Sequence, residues 1–479
     1  MGGGEVTARA SFEGRRVGVA GMGVTGQAVA AALAPLGAVL TLIDDAAPGV
    51  ARPAEVDLGG LDLLVVSPGW APGSALLAEA EAAGLPVWSE VELAWHLRAN
   101  TEAPWLAVTG TNGKTTTVEM LQAMLAAGGA RARAAGNVGD PLVSAVAADS
   151  VEVFAVELSS FQLHHTYSMS PLGAAVLNLA PDHLDWHGSM DAYAAAKGRV
   201  YTGVEGAVVF NADDPRTVQL AQAAGAAGAA STADAAGSPR AVGITLRAPR
   251  LGELGLIDGQ LVDRAFTERR FRHAEAIASL DDLAHLGGPD GRLAPHLVAD
   301  ALAAAALALA YGTAPEAIAS ALRSFTVGSH RLDDVAEVGG VRFVDDSKAT
   351  NAHAASASLA SFAPGSVVWI AGGLAKGARF ESLVSDRADR LKAVVLIGLD
   401  NHELREALAA GAPELPVVGI EPGPDLMARA VAAAAGLAAA GDAVVLAPAS
   451  ASMDQFESYA DRGRQFAAAV RESVTADAA

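Results

Sequence analysis

The sequence predicts an α/β protein of three domains: an N-terminal Rossmann-like domain, a central P-loop-type mononucleotide-binding sheet and a C-terminal Rossmann-like domain. Short apolar strands alternate with helical stretches along most of the chain, which is typical of doubly wound, largely parallel sheets. Glycine-rich turns at residues 21–26 and 110–113 each follow a strand. The length of 479 residues also suits about three domains.

The first predicted domain covers residues 1–100, with strands at 16–20, 39–43 and 61–66 and a helix at 27–36. The turn Gly21-x-Gly23-x-x-Gly26 and the acid Asp44 match the dinucleotide-binding fingerprint. An NAD-dependent dehydrogenase is therefore one hypothesis for this domain. A nucleotide-sugar diphosphate fits the same geometry, and a glycine turn without a ligand is a third alternative.

The second predicted domain covers residues 101–328, with strands at 105–108, 151–156, 174–178 and 207–211. Residues 110–117 read Gly-Thr-Asn-Gly-Lys-Thr-Thr-Thr directly after the first of these strands. Backbone N–H groups of such a loop cradle nucleotide phosphates, and Lys114 adds a positive charge. The Thr115 hydroxyl is placed to hold Mg²⁺. The loop predicts ATP binding, although the first glycine of the usual spacing would fall at Val108.

Further polar residues follow the next strands of this domain. Glu157 ends one strand, at the place where nucleotide hydrolases hold Mg²⁺. Asp182 and His183 follow the next strand and suggest metal binding or proton transfer. Lys197 lies in a predicted helix, where pattern alone favours a solvated side chain. Residues 221–237 predict a weakly specified helix and loop inside this domain.

The third predicted domain covers residues 329–479. Its strands are predicted at 341–344, 366–371, 393–397, 416–420 and 442–447, separated by helical stretches. This order again predicts a parallel α/β sheet.

Composition excludes several classes of function. The net charge of −21 argues against non-specific nucleic-acid binding, which needs basic faces. The absence of cysteine excludes disulfides and thiol nucleophiles. The longest apolar runs fall short of the roughly 20 residues that span a bilayer, so no membrane partner is expected. Without a secretory signal pattern at the N-terminus, we expect a cytoplasmic protein.

Several of these motifs together resemble the Mur ligase family, whose ATP-dependent members join amino acids to a UDP-linked precursor of peptidoglycan. The resemblance extends from about residue 15 to about residue 466. It is carried by the strings Gly110–Thr117, Glu157–Leu163, Asn178–Asp185, Tyr193–Lys197 and Asn211–Asp214. The strings Asp345–Asn351 and Ser452–Phe456 resemble the member that adds D-glutamate.

The resemblance implies a mechanism and its cofactors. ATP would phosphorylate a substrate carboxylate, and the amino group of the incoming amino acid would attack the acyl phosphate. The implied substrates are UDP-N-acetylmuramoyl-L-alanine (UDP-MurNAc-L-Ala) and D-glutamate. Lys114, Glu157, Asp182, His183 and Lys197 would be catalytic. Two Mg²⁺ sites are expected, with ligands from Thr115, Glu157, His183 and Lys197. In this family the lysine that matches Lys197 is carbamylated.

The resemblance also assigns binding residues. ATP contacts are expected at Gly110, Thr111, Asn112, Gly113, Lys114, Thr115, Thr116, Asp300, Arg331 and Asp346. Contacts to the UDP-linked substrate are expected at Val24, Thr25, Asp44, Asp45, Ser67, Gly69 and Asn137. Contacts to D-glutamate are expected at Lys348, Thr350, Lys376, Ser452 and Tyr459.

The sequence departs from the family pattern at three places. Asp45 replaces a hydroxyl residue, the adenine-binding string reads His296-Leu-Val-Ala-Asp300, and residues 372–377 lack an acid before Lys376. Two alternatives stay open: another amide ligase, such as a different Mur ligase or a folylpolyglutamate-synthase-like enzyme, and an inactive nucleotide-binding regulator.

Overall fold

Three sheets form the framework of the protein. The computed structural model describes residues 12–98, 102–137, 139–147, 150–225, 238–287, 293–326, 328 and 330–477. These residues form two compact units. The first comprises the described residues within 1–179, 186–286 and 295–325, and the second comprises the described residues within 180–185, 287–294 and 326–479. No helix in the described ranges is long and apolar enough to cross a membrane.

The first sheet has four parallel strands in the order β2-β1-β3-β4. The strands are β1 (Arg16–Ala20), β2 (Val39–Ile43), β3 (Leu63–Val66) and β4 (Val87–Ser89). The helices are α1 (Val24–Leu33), α2 (Ala75–Ala82) and α3 (Glu90–Leu97). Helix α1 begins three residues earlier than the sequence predicts, because Gly23 already occupies the N-cap position.

The central sheet has nine strands in the order β13-β12-β11-β10-β9-β8-β5-β7-β6. The strands are β5 (Trp105–Thr109), β6 (Ala132–Gly136), β7 (Val153–Glu157), β8 (Gly173–Val176), β9 (Ala207–Asn211), β10 (Arg240–Ile244), β11 (Glu253–Ile257), β12 (Gln260–Asp263) and β13 (Glu275–Ser279). Strands β11 to β13 pair antiparallel, and the other pairs are parallel.

Eight helices accompany the central strands in the described ranges. They are α4 (Lys114–Ala127), α5 (Leu142–Ala145), α6 (Ser160–His164), α7 (Leu184–His187), α8 (Met190–Gly198), α9 (Pro215–Ala223), α10 (Pro295–Tyr311) and α11 (Pro315–Ser324). The weakly specified stretch predicted at 221–237 begins in α9, and residues 226–237 lie outside the described residues.

The third sheet has six strands in the order β14-β15-β19-β16-β17-β18. The strands are β14 (Asp333–Val338), β15 (Val341–Asp345), β16 (Val367–Ala371), β17 (Leu391–Leu396), β18 (Val417–Gly419) and β19 (Ala443–Leu446). The helices are α12 (Ala352–Leu359), α13 (Glu381–Arg387), α14 (His402–Gly411), α15 (Leu426–Leu437) and α16 (Tyr459–Asp477). The edge strand β14 runs antiparallel, which the prediction of a parallel sheet missed. The predicted α/β class with several mostly parallel sheets is confirmed.

The first two sheets share one continuous hydrophobic core. Buried residues of the first sheet, such as Val17 and Val65, belong to the same cluster as Trp105 and Phe154 of the central sheet. Helix α3 contributes Trp95, whose ring meets the Trp105 ring edge-on at a centroid distance of 5.0 Å. The N-terminal and central sheets are therefore parts of one packed body.

Candidate active site

The predicted phosphate loop connects β5 to α4 in the middle of the central sheet. Gly113 adopts a left-handed φ of 82° at the entrance of α4. A side chain at this position would also collide with the Asp300 carboxylate. Asn178 holds the loop from the neighbouring strand end, since its amide oxygen accepts from Asn112 N–H at 2.9 Å. The loop leaves the helix N-terminus without a capping side chain, which is the arrangement of an anion-binding site.

Two lysine side chains converge on this loop. Lys114 Nζ donates to the carbonyl oxygens of Gly110 and Thr111, both at 2.9 Å. Lys197 projects from α8 and is buried, with Nζ 2.7 Å from the same Gly110 oxygen. Thr111 Oγ1 lies 3.0 Å from the Tyr193 hydroxyl, one turn before Lys197. Lys197 is therefore not the solvated helical lysine that its local pattern favours.

Glu157 is the last residue of β7, the strand next to β5 in the sheet. Its side chain is buried, and Oε1 accepts from Asn137 Nδ2 at 2.8 Å. The other oxygen, Oε2, is buried with no hydrogen-bond partner among the described residues. A buried carboxylate oxygen in this state is costly unless a cation pairs with it. This makes Glu157 suited to hold a metal ion.

The donors around the loop fit Mg²⁺ better than a protein-only metal centre. The described ranges contain no group of three His, Asp or Glu side chains that could hold a metal ion by themselves. Mg²⁺ typically takes one or two carboxylates and completes its shell with waters and substrate phosphates. Glu157 and the buried Thr115 hydroxyl match that need.

The N-terminal glycine turn is fastened by Asp44. Its Oδ2 accepts from Met22 N–H at 2.6 Å, and its Oδ1 accepts from the N–H groups of Ala46 and Ala47 at 2.8 and 3.0 Å. These backbone donors lower the pKa of Asp44. Ser67 Oγ donates to Gly21 O at 2.8 Å from the neighbouring strand end. The turn and the Ser67 loop thus form one connected rim.

The other predicted contacts for the UDP-linked substrate lie around this rim. Val24 and Thr25 open helix α1, with Val24 mostly exposed, and Asp45 and Gly69 are also exposed. Asn137 follows β6 and donates to Glu157, so it also orients the carboxylate of that metal-ligand candidate.

Asp182 and His183 group with the C-terminal unit rather than with the phosphate loop's unit. His183 has a left-handed φ of 54°, and its Nε2 lies 3.6 Å from Asp182 Oδ1. Asp182 Oδ2 accepts from Asn351 Nδ2 at 3.3 Å. Asn351, in turn, caps helix α12 through its Oδ1. The structure therefore gathers Lys114, Glu157 and Lys197 in one unit, and Asp182 and His183 in the other.

The predicted D-glutamate contacts follow three adjacent parallel strands, β15, β19 and β16. Lys348 and Thr350 lie after β15, and the Lys348 ammonium sits 5.3 Å from the centre of the Tyr459 ring. The loop with Lys376 pairs with the loop before Ser452 through mutual backbone hydrogen bonds between Leu374 and Ala451. The carboxyl ends of parallel strands are where open α/β sheets bind ligands.

The charges of Arg331 and Asp346, two predicted ATP contacts of the C-terminal unit, influence each other. Asp346 is buried beyond the end of β15, and burial raises its pKa to about 7, opposed in part by the charge of Arg331. The adjacent Asp345 accepts from His330, with Nδ1 and Oδ2 2.6 Å apart. Asp300, the predicted adenine contact, lies against the phosphate loop at Gly113.

Sequence reasoning missed Arg462, which organises the C-terminal site. Its side chain is fully buried, and burial lowers its pKa to about 10. The guanidinium donates to Ser347 Oγ, Ser347 O and Ser450 O at 3.0, 2.9 and 3.2 Å. It thus ties the Lys348 loop to the Ser452 loop. The only sequence signal is its position three residues after Tyr459 in the last helix.

Two family models match this chain. The family described as Mur ligase middle domain matches residues 108–240. The family described as Mur ligase, glutamate ligase domain matches residues 330–450. The first match contains the phosphate loop, Glu157 and Lys197, and the second contains Lys348 and Lys376.

Relatives match over nearly the whole chain. A UDP-N-acetylmuramoylalanine--D-glutamate ligase of Streptomyces avermitilis is 50% identical, with 96% of this chain and 99% of that protein covered. The enzyme of the same name from Thermobifida fusca is also 50% identical, with the same coverage of both chains.

Solved structures share the fold at low sequence identity. UDP-N-acetylmuramate-alanine ligase MurC from Thermotoga maritima gives a TM-score of 0.56 at 16% identity and covers 96% of this chain and 99% of that chain. MurF ligase from Thermotoga maritima in complex with ADP gives 0.54 at 16% identity, with 97% of both chains covered. The chain belongs to the Mur ligase family, within the group of the UDP-N-acetylmuramoylalanine--D-glutamate ligases.

Proposed function

We propose that this chain is the ATP-dependent ligase that adds D-glutamate to UDP-MurNAc-L-Ala in peptidoglycan precursor synthesis. The observation that carries the proposal is 50% identity over 96% of the chain to ligases of that name. The geometry supports it, because a phosphate loop, a buried carboxylate and two converging lysines occupy one site. No comparable observation favours a dehydrogenase.

The reaction joins a carboxylate to an amine, so the carboxylate must first be activated. The L-alanine carboxylate of the precursor attacks the γ-phosphorus of ATP, giving an acyl phosphate and ADP. The amino group of D-glutamate then attacks the acyl carbon, and inorganic phosphate leaves as the amide forms. Negative charge spreads over the phosphoryl oxygens during transfer, and Lys114 with the N–H groups of 110–116 would stabilise it.

The metal requirement follows from the donor set. Mg²⁺ bound here would neutralise phosphate charge, with Thr115 and Glu157 as protein ligands. We propose that His183 contributes to a second metal site and that Asp182 orients it, consistent with the 3.6 Å between His183 Nε2 and Asp182 Oδ1.

We further propose that Lys197 works as a carbamate. As ammonium groups, Lys114 and Lys197 donate to the same Gly110 carbonyl oxygen, so two like charges crowd one acceptor. Carbamylation replaces the second positive charge by a negative one with oxygen donors, which suits a site for Mg²⁺. Isotopically labelled bicarbonate should give a carbamate signal in the protein that retains Lys197 and none in the Lys197→Arg variant.

The remaining predicted residues divide between the ends of the substrates. We propose that the UDP-linked precursor is held at the rim of the N-terminal turn by Val24, Thr25, Asp44, Asp45, Ser67 and Gly69, and farther along by Asn137. Lys348, Thr350, Lys376, Ser452 and Tyr459 would bind D-glutamate, whose two carboxylates need cationic and hydroxyl donors. Asp300, Arg331 and Asp346 complete the proposed ATP contacts.

The proposed domains are 1–100 for the UDP-linked substrate, 101–328 for ATP and 329–479 for the amino acid. Each of the three sheets falls inside one of these ranges. We also propose that the protein works in the cytoplasm, where ATP and UDP-linked precursors are made.

Phosphate release with UDP-MurNAc-L-Ala, ATP and each glutamate enantiomer tests the function. We expect release with D-glutamate that depends on all three substrates, and little with L-glutamate. Equal rates with both enantiomers, or release with neither, would contradict the proposal. A preference for another amino acid would point to a different amide ligase of the same fold.

A further inference from the structure

The start of helix α3 joins the N-terminal sheet to the central domain. Strand β4 ends at Ser89, whose N–H donates to His165 O at 2.9 Å. Ser89 Oγ lies 2.9 Å from Thr166 Oγ1, so the same residue meets the central domain twice. Both Glu90 and Glu92, in the first turn of α3, are 2% exposed. Two fully buried acids in one helical turn are rare unless they are paired.

Glu92 accepts several hydrogen bonds from the segment after α6. Its Oε2 accepts from the N–H groups of Tyr167 and Ser168 at 2.7 and 3.0 Å, and its Oε1 accepts from Ser168 Oγ at 2.6 Å. His96 Nε2 lies 3.4 Å from Oε1. Burial alone would raise the pKa of Glu92, but these donors outweigh it and hold the pKa at about 2. The Glu92 carboxylate is therefore ionised, and its hydrogen bonds link helix α3 to the segment after α6 in the central domain.

Glu90 makes a second connection on the other side of the turn. Its Oε1 accepts from Val143 N–H, at the start of α5, at 2.6 Å. It also lines a small enclosed cavity, whose other walls come from both domains. These walls include Ser67 and Trp70 from the N-terminal domain and Phe161 and Gln162 from helix α6.

The cavity at Glu90 is lined by segments next to both parts of the proposed substrate site. The Ser67 loop shares the cavity with Glu90 and is bonded to the glycine turn through Gly21 O. Helix α6, which also lines the cavity, begins three residues after Glu157. The UDP-linked precursor must reach from the first place to the second, so their spacing decides whether its carboxylate meets the phosphate loop.

We propose that Glu92 and Glu90, in the first turn of α3, position the Ser67 loop against the central domain. This position would allow the UDP-linked substrate to bind. Glu92 is a positioning residue in this account, since its carboxylate accepts hydrogen bonds from protein groups in the segment after α6. The proposal rests on the proposed function for the identity of the substrate. The geometry of the two carboxylates with Ser168, Tyr167 and Val143 carries the rest.

The test separates binding of the two nucleotides. Glu92→Gln keeps the shape of the side chain but removes the charge that holds Ser168 and the two N–H groups. We expect KM for UDP-MurNAc-L-Ala to rise about 10-fold, because small displacements of substrate contacts are costly. KM for ATP should stay within about twofold, because the phosphate loop is held by separate contacts. Glu152→Gln, at an exposed acid paired with Arg131 at 3.0 Å, is the matched control and should leave both values unchanged.

A cross-link can restore the position without the charge. The chain has no cysteine, so Ser89→Cys with Thr166→Cys gives one defined pair between the domains. In the Glu92→Gln background, the oxidised pair should return KM for the UDP-linked substrate toward the unmodified value, and the reduced pair should not. If Glu92→Gln lowers the melting temperature but leaves both KM values unchanged, the contact is only structural and the proposal is wrong.

Two further experiments separate a failure of the positioning proposal from misfolding of Glu92→Gln and from a failure of the proposed function. Should Glu92→Gln fail to fold, Ser168→Ala removes one donor and should raise the same KM about threefold, and no change there would overturn the proposal. Should the unmodified protein make no product with D-glutamate, the proposed function fails on its own. Calorimetry then compares the affinity for UDP-MurNAc-L-Ala of the protein with Glu92 and of the Glu92→Gln variant. Equal affinities would overturn the positioning role of Glu92.

Discussion

The two glycine turns of the molecule share a backbone plan but differ in the side chains around them. Each follows a parallel strand and leads into a helix, and Gly21 and Gly113 both have a left-handed φ, of 90° and 82°. Around the first turn the fastening group is an acid, Asp44, bonded to Met22 N–H. Around the second, Lys114 and Lys197 both donate to Gly110 O.

This difference teaches which turn carries chemistry. A turn that only binds a diphosphate needs backbone donors and a fixed shape. An acid that accepts hydrogen bonds from the backbone of the turn can fix that shape. A turn where a phosphoryl group is transferred must also offset charge that grows in the transition state, which requires cations aimed at the phosphate. Lys114 supplies such a cation at the second turn, whereas the acid Asp44 fastens the first, although both turns read as glycine-rich phosphate sites in the sequence.

Replacing Lys114 should cause the largest loss of catalytic activity. Lys114→Ala is expected to lower kcat/KM by about 10³-fold or more, because the charge that stabilises phosphoryl transfer is lost. Calorimetric affinity for UDP-MurNAc-L-Ala should stay unchanged, since the first turn is untouched. Lys392→Ala, at a lysine paired with Asp442 in the third sheet, is the control and should retain activity. Full activity of Lys114→Ala would remove the distinction between the turns.

Lys197 should show a smaller loss with an informative pattern. Lys197→Arg and Lys197→Ala are both expected to lose roughly 10²-fold in kcat, because neither side chain can form a carbamate ligand. Steady-state rates with and without added bicarbonate test the need for a carbamate. Only the protein that retains Lys197 should become faster when bicarbonate is added. Retained activity in Lys197→Arg would mean that the positive charge itself is what the site uses.

Asp44 should affect binding without affecting chemistry. Asp44→Asn weakens the acceptor for Met22, Ala46 and Ala47, so KM for the UDP-linked substrate should rise several-fold at unchanged kcat. Because the pKa of Asp44 is lowered by folding, its contribution to stability is present above the usual pKa of about 4 and is lost as pH falls through the lowered value. Urea unfolding near pH 7 and near pH 3 should show the difference between the two proteins shrinking at the lower pH.

Glu90 should have the smallest effect on catalysis and a clear effect on stability. Burial raises its pKa to about 7 from the usual 4.5, so ionisation in the folded state becomes progressively costly as pH rises between these values. Glu90→Gln should therefore stabilise the protein by up to about 3 kcal/mol at pH 8. The gain should vanish near pH 4.5. A gain that is independent of pH would assign it to packing.

The sequence predicts the local framework of both turns and little of what surrounds them. The strands before Gly21 and Gly110 are recognisable, because apolar runs flanked by glycine turns have few other interpretations. The three-residue strand β4, the antiparallel strands β12 and β13 and the antiparallel edge strand β14 were missed. Short strands and edges depend on neighbours distant in sequence, which no local pattern encodes.

The same limit applies to the site. Lys114 and Glu157 were identified from their positions after strands, and motif resemblance added Lys197. Arg462 and Glu92 carry no local signal, since a helical Arg or Glu usually lies on the surface. Their roles arise because tertiary packing buries them against backbone groups of other loops, which only the folded structure reveals.

The stoichiometry of the product tests the central assignment most directly. With UDP-MurNAc-L-Ala, ATP and D-glutamate, mass spectrometry should find a nucleotide product heavier by one glutamyl residue, with one ADP and one phosphate formed per product. Replacing D-glutamate by L-glutamate should abolish that product. ATP hydrolysis without the heavier nucleotide, or the same yield from both enantiomers, would contradict the assignment of the second turn to activation of this carboxylate for D-glutamate.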